Sequence, residues 1–184
     1  MILGRKLLAA ALLASVSFAA SSAMAQNAKP LKIGLLLSLS GPAASFGIPE
    51  RDAAELIVAG LNSKGGVDGR KIELAIYDDT TNPTEAARGA TKLIREDGVV
   101  AIVGASTGSG TLAAAPIAAR EKIPMLDPNA TISVTARESQ SYPYVFRTMS
   151  NDLVNTKRLY DAAIAGGAKK VAIFYQEDAY GKDS

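Results

Sequence analysis

The residues best suited to chemistry in this sequence gather in Gly104-Ala105-Ser106-Thr107-Gly108-Ser109-Gly110-Thr111. The first five read Gly104-x-Ser106-x-Gly108, the spacing of the nucleophile elbow that esterases and lipases set between a strand and a helix. A serine nucleophile needs a base to take its proton, yet the chain contains no His. It contains no Cys either, which removes disulfides, thiolate metal sites and cysteine nucleophiles together. The same residues suit a second task in which no bond is broken. Small hydroxyl residues at the start of a helix leave backbone N–H groups pointing outward, where the helix dipole favours an anion such as the carboxylate of a small ligand. Capping of the following helix is the plainer use of those hydroxyls.

Two acidic pairs complete the candidates. Asp78-Asp79 follows an alternating segment and reads as a solvated turn in which a side chain bonds local backbone, rather than as a metal or acid/base site. Glu177-Asp178 opens the last loop and is equally plain. No dinucleotide fingerprint, phosphate loop or calcium loop occurs, so no catalytic residue, cofactor or metal is expected.

These residues must be held by the elements around them. Past Lys32, the segment 32–37 is apolar at consecutive positions, as in a strand buried on both faces, and 99–103 repeat the pattern. Between them, residues 49–62 place Ala53, Leu56, Ile57, Gly60 and Leu61 at helical spacing, and residues 71–77 alternate as a strand. A further helix starts at Asn82-Pro83, with Glu85 completing a capping box and Ala86, Ala90, Leu93 and Ile94 as its apolar stripe. Beyond 103 the spacing predicts a helix over about 109–121, a short strand at 124–126, an extended segment at 144–148, a helix at 152–165 and a buried strand at 171–175.

Strands alternating with crossover helices demand parallel pairing and a doubly wound α/β sheet. Ligands bind such sheets beyond the carboxyl ends of the strands, which selects loops 38–46, 104–111 and 127–135. All three are rich in Ser, Thr, Gly and Ala.

The first 25 residues have the pattern of a cleavable export signal: Arg5 and Lys6, an apolar run at 7–14, then Ala23-Met24-Ala25 as a small-x-small cleavage site. That run is too short for a membrane anchor, which needs about 20 apolar residues. Setting aside Arg5 and Lys6 leaves 18 basic against 18 acidic residues, a neutral balance with no electrostatic footprint for nucleic acid or an anionic membrane.

Further motifs occur in a specific order: Ser40-Gly41-Pro42, Gly47, Asn62-x-x-Gly65-Gly66-Val67-x-Gly69-Arg70, Tyr77-Asp78-Asp79, Asn82-Pro83. Val103-Gly104, Ile123-Pro124, Pro128-x-Ala130-Thr131, Phe146-Arg147-Thr148 and Tyr180-Gly181 then follow. The series resembles the branched-chain amino-acid-binding family, the leucine/isoleucine/valine-binding type of periplasmic solute-binding proteins of ABC importers. The resemblance covers essentially all of the chain past the leader.

It implies a type I clamp of two α/β lobes that close on a ligand. Residues 26–148 would form the first lobe, incomplete without its C-terminal return, and 149–184 would begin the second, so that the chain is expected to be C-terminally truncated. It also implies a carboxylate-binding set at Gly108 and Ser109 with Asn129, Ala130 and Thr131, an aromatic lid at Phe46 set in a loop, and Tyr180 approaching from the second lobe. Asp127 stands where the family commonly has Ser, an acid where an anion would bind. The expected partners are a small carboxylate-bearing ligand, an amino acid or related compound, and an inner-membrane permease, with the protein a monomer in the periplasm. A secreted serine hydrolase using Ser106 and a ligand-sensing domain for a receptor are the alternatives.

Overall fold

The computed structural model describes residues 29–129 and 131–183; the expected export signal at 1–25 lies outside them. Five strands, β1 (Leu31–Leu37), β2 (Ile72–Asp78), β3 (Ala101–Gly104), β4 (Met125–Asp127) and β5 (Val145–Arg147), form one sheet in the order β2-β1-β3-β4-β5. The helices are α1 (Ala44–Ser63), α2 (Pro83–Arg95), α3 (Gly108–Arg120), α4 (Asp152–Ala165) and α5 (Ala179–Asp183). The expected parallel α/β sheet is therefore present, with β1–β3, β3–β4 and β4–β5 all parallel.

Contacts divide the chain into two compact units. The first joins the segment ending at Leu31 to residues 57–73. Within it, Val67 and Arg70 exchange backbone hydrogen bonds of 2.8 and 2.9 Å around Asp68-Gly69, whose positive φ angles of 50° and 75° suit a tight two-residue turn. Asn62 fastens the outgoing strand, donating to the Ile72 carbonyl and accepting from the Ile72 N–H, both at 2.8 Å.

The second unit, residues 32–56 and 74 onward, carries the core. Leu36, Ile102 and Met125 supply its strand layer, and Ala114, Ala115 and Ala118 of α3 pack with them. Alanines on the buried face let α3 approach the sheet closely. From the other helix, Ala86, Ala90 and Leu93 of α2 enter the same core, and Ile94 packs against it, so the predicted stripe holds. Two glycines permit backbone contacts that a side chain would block. A Cβ on Gly47 would lie 2.2 Å from the Ser38 carbonyl oxygen, and one on Gly104, at φ +134°, would lie 2.0 Å from that of Leu36.

Four expectations need correction. Helix α1 begins at Ala44 rather than 49, because Ala44, Phe46 and Gly47 already turn onto the carbonyls of Gly41 and Ala43, and Pro49 near the N-terminal end forfeits only one helical bond. Its apolar residues Leu56, Ile57 and Leu61 are exposed among the described residues. The capping box is half formed: the Asn82 side chain accepts from Thr84 and Glu85, but Glu85 turns to Tyr77 and Arg88, and the Asn82 N–H bonds the Asp79 carbonyl instead. Finally, residues 171–175 form no strand. None of the described residues pairs with them in a ladder, and Val171, Ile173, Phe174 and Tyr175 stand exposed.

Candidate functional site

A cleft of about 180 Å³ opens where the strand-end rule places it. Its floor is Ser106, Thr107 and Gly108, the turn from β3 into α3, with Asn129 beyond β4. Phe46 and Tyr180 flank it. Phe46 is 59% exposed and sits in the first turn of α1, not in the loop expected, so the helix axis rather than a flexible loop sets its direction.

Ser106 does not stand ready as a nucleophile. Its Oγ donates to Glu50 Oε2 at 2.6 Å and accepts the Ser38 N–H at 3.0 Å, and the residue is buried. Its hydroxyl hydrogen is directed at a carboxylate rather than at an imidazole. Thr107 caps α3 through its bond from the Gly110 N–H at 3.1 Å, so the plain capping role is real. Thr111 closes the turn by accepting the Ala105 N–H and donating to the Thr107 carbonyl, each at 3.1 Å.

The expected ligand residues divide. Phe46, Gly108, Asn129 and Tyr180 meet at the cleft. Ser109, one residue into α3, is not part of its lining. Thr131 is fully buried, its hydroxyl 3.0 Å from that of Ser133. Its methyl lies behind Gly108, 2.6 Å from where a Cβ on that glycine would sit. Ala130 lies outside the described residues.

Glu50 was not singled out by the sequence, and it is central. One oxygen takes the Ser106 hydroxyl and the other takes the Asn129 side-chain amide. Burial raises its carboxyl above the ordinary value, partly offset by those two hydrogen bonds, and the charge of Asp79 adds to the rise. The available signal was Phe46-x-x-x-Glu50, a shared helix face, legible only if α1 had been started early enough.

The neighbouring acids differ in kind. Asp127 ends β4, fully buried, with Oδ1 accepting the Asn129 N–H at 2.7 Å and Oδ2 without a hydrogen-bond partner. Burial pushes its carboxyl up to about 7, and the charge of Glu50 adds to the rise. Asp78 is held low: burial acts to raise it but is outweighed by hydrogen bonds from the Ser40 hydroxyl and the N–H groups of Thr80, Leu39 and Ser40. Asp79 is buried rather than solvated, accepting from the Ser38 hydroxyl at 2.6 Å and the Thr81 N–H at 2.8 Å. This pair fastens the β1 loop, so the local-backbone role is right and the solvated turn is not. Asp178 reaches the cleft while accepting from Gly181 N–H and Gln176. No group of acids that could hold a metal ion occurs among the described residues.

Residues 30–184 match the family described as "Periplasmic binding protein". A "Leu/Ile/Val-binding protein homolog 3" from Brucella melitensis is 32% identical over 174 residues, which are 93% of this chain and 46% of that protein. Among solved structures, a solute-binding protein of an ABC transporter from Rhodopseudomonas palustris BisB5, in complex with 3,4-dihydroxybenzoic acid, superposes with a TM-score of 0.74 at 31% identity. That match covers 84% of this chain and 41% of the other. A leucine-binding protein from Thermotoga maritima gives 0.69 at 30% identity, over 83% and 43% of the respective chains. The chain thus spans less than half the length of these relatives. With the parallel sheet and the strand-end cleft, these likenesses agree on one conclusion: the chain belongs to the periplasmic binding protein family.

Proposed function

We propose that this chain serves a periplasmic solute-binding protein of an ABC importer, capturing a small carboxylate-bearing ligand, an amino acid or related compound, and presenting it to an inner-membrane permease. The observation that carries the reading is the cleft at the carboxyl ends of β3 and β4, into which the N-terminus of α3 opens between two aromatic side chains. Backbone N–H groups of Gly108 and Ser109 would meet the ligand carboxylate, helped by the segment Asn129, Ala130 and Thr131. Phe46 and Tyr180 would enclose its apolar part. No covalent chemistry is assigned to the protein, and no cofactor.

The family supports a periplasmic location, and a leader cleaved after Ala25 would provide the export. Residues 26–148 would constitute the first lobe and 149–184 the start of the second, the protein acting as a monomer. Support for that boundary comes from β5, the last strand of the sheet, ending at Arg147 just before α4.

Calorimetry with a panel of amino acids, their amides and aromatic acids, on the protein at its full natural length, tests the reading. Saturable heat from at least one carboxylate is expected. Silence from every carboxylate would overturn it.

A further inference from the structure

We propose that Asp127 acts through Asn129 to make ligand capture proton-linked: the protein takes up a proton as a ligand carboxylate seats in the cleft, and affinity falls as pH rises. The inference rests on the solute-binding reading above and adds how that site is regulated.

Asn129, which lines the cleft, is held from behind by two carboxyl groups. Its backbone N–H donates to Asp127 Oδ1 at 2.7 Å, and its side-chain amide donates to Glu50. Neither acid is part of the lining, so each acts on a ligand through the floor rather than by contact. Asp127 is fully buried, and its Oδ2 has no hydrogen-bond partner. When ionised it sets a desolvated negative charge one hydrogen bond behind the floor, where water and salt screen it little. When protonated it removes that charge and still offers an oxygen to the Asn129 N–H.

The groups that face Asp127 come from every element around it. Burial is the largest influence and raises the carboxyl to about 7; the Thr111 hydroxyl of α3 and the Asn129 N–H lower it, Glu50 of α1 raises it, and Arg147 of β5 lowers it least. Arg147 is the register partner of Asp127, and its guanidinium also bonds Asp152 at the start of α4, at 3.4 Å. No Lys or Arg lines the cleft among the described residues, whereas Asp178 does.

A ligand carboxylate seated between Asn129 and the start of α3 adds one more negative charge to this surrounding. A like charge disfavours ionisation of Asp127, so its carboxyl titrates higher in the complex than in the free protein. From about 7 up to that higher value, the complex holds a proton that the free protein has released. Affinity is therefore greatest at low pH and is lost as pH rises through that window.

Calorimetry on the protein at its full natural length tests the proposal, with leucine, phenylalanine, glutamate and benzoate as probes, whose carboxyls stay ionised from pH 6 to pH 8. Each probe that binds is expected to lose roughly three- to tenfold in affinity across that range. At pH 7 it should bind with uptake of up to about half a proton, read from the difference between heats in PIPES and imidazole buffers. Asp127→Asn, which keeps an acceptor for the Asn129 N–H, should abolish both effects and hold affinity near the value that the unaltered protein has at pH 6. Affinity independent of pH, or proton release on binding, in the unaltered protein would overturn the inference and leave solute binding in place. A pH dependence that survives Asp127→Asn would do the same. Heat from none of the probes at any pH would overturn the wider reading and this inference with it. The profile of the unaltered protein needs no variant, so a failure of Asp127→Asn to fold does not shield the proposal, and Asp127→Ser then replaces it.

Discussion

Ser106 Oγ lies 2.6 Å from Glu50 Oε2, joining the turn after β3 to the second turn of α1 across 56 residues of sequence. The same oxygen accepts the Ser38 N–H at the end of β1, so one hydroxyl fastens three segments around the cleft. Replacing it with Ala leaves a buried N–H without its acceptor and frees a half-buried carboxylate. Ser106→Ala is expected to lower stability by about 1 to 3 kcal/mol, read from urea unfolding. If the binding reading holds, no ester hydrolysis should depend on this residue; turnover that vanishes with the substitution would sink that reading.

Asp127 makes stability depend on pH. Its carboxyl sits at about 7 when folded, above the ordinary 3.8, so between these values the folded state holds a proton that the unfolded chain has released. Stability from this group is therefore present at low pH and lost as pH rises through that window. Asp127→Asn keeps an acceptor for the Asn129 N–H and removes the titration. From pH 4 to pH 8 the unaltered protein should lose on the order of 2 to 4 kcal/mol relative to the variant. Parallel pH profiles of the two urea midpoints would refute it.

Gly47 allows α1 to rest on the end of β1. A methyl group there meets the Ser38 carbonyl, a backbone atom that cannot swing aside as a side-chain tip could. Gly47→Ala should cost about 2 to 3 kcal/mol in chemical unfolding, despite the better helix propensity of Ala. A stabilised variant would show that the contact is not as close as described.

Asn82 caps α2 with a side-chain oxygen shared between the N–H groups of Thr84, at 2.8 Å, and Glu85, at 3.4 Å. Asn82→Ala is expected to cost about 1 kcal/mol and Asn82→Asp very little, by thermal or urea unfolding. Glu85→Gln should matter less than a complete capping box would require, since Glu85 does not reach back to the cap.

Thr131 separates packing from ligand contact. Thr131→Val preserves the branched shape behind Gly108 and deletes the hydroxyl. If that hydroxyl helps hold the ligand carboxylate, affinity for the best ligand of the panel falls by about 1 to 2 kcal/mol with stability little changed. Unchanged affinity would assign Thr131 to packing alone.

Much of this molecule was legible in one dimension because its signals are local. Consecutive apolar residues in β1 and β3, the Asn82-Pro83 start of α2 and the stripe Ala86, Ala90 and Leu93 depend on spacings of a few residues, and so does the Asp68-Gly69 turn. Alternation of such elements was enough to require a parallel sheet, and with it a cleft at the strand ends formed by Gly108, Asn129 and the turn holding Ser106. What could not be read was who meets whom across the sheet. Glu50 finds Ser106 and Asn129, 56 and 79 residues away, only because the order β2-β1-β3-β4-β5 places the ends of β1, β3 and β4 side by side. Asp127 carries no mark of its raised pKa in its own segment, since burial by other segments produces it. Residues 171–175 make the converse point: their pattern is that of a strand, but strand hydrogen bonds require a neighbour, and no described segment provides one. Local spacing determined the elements and the sheet edge that carries the cleft, while tertiary contact decided which side chains brace that edge and how their carboxyls titrate, because burial and long-range pairing are properties of the assembled chain.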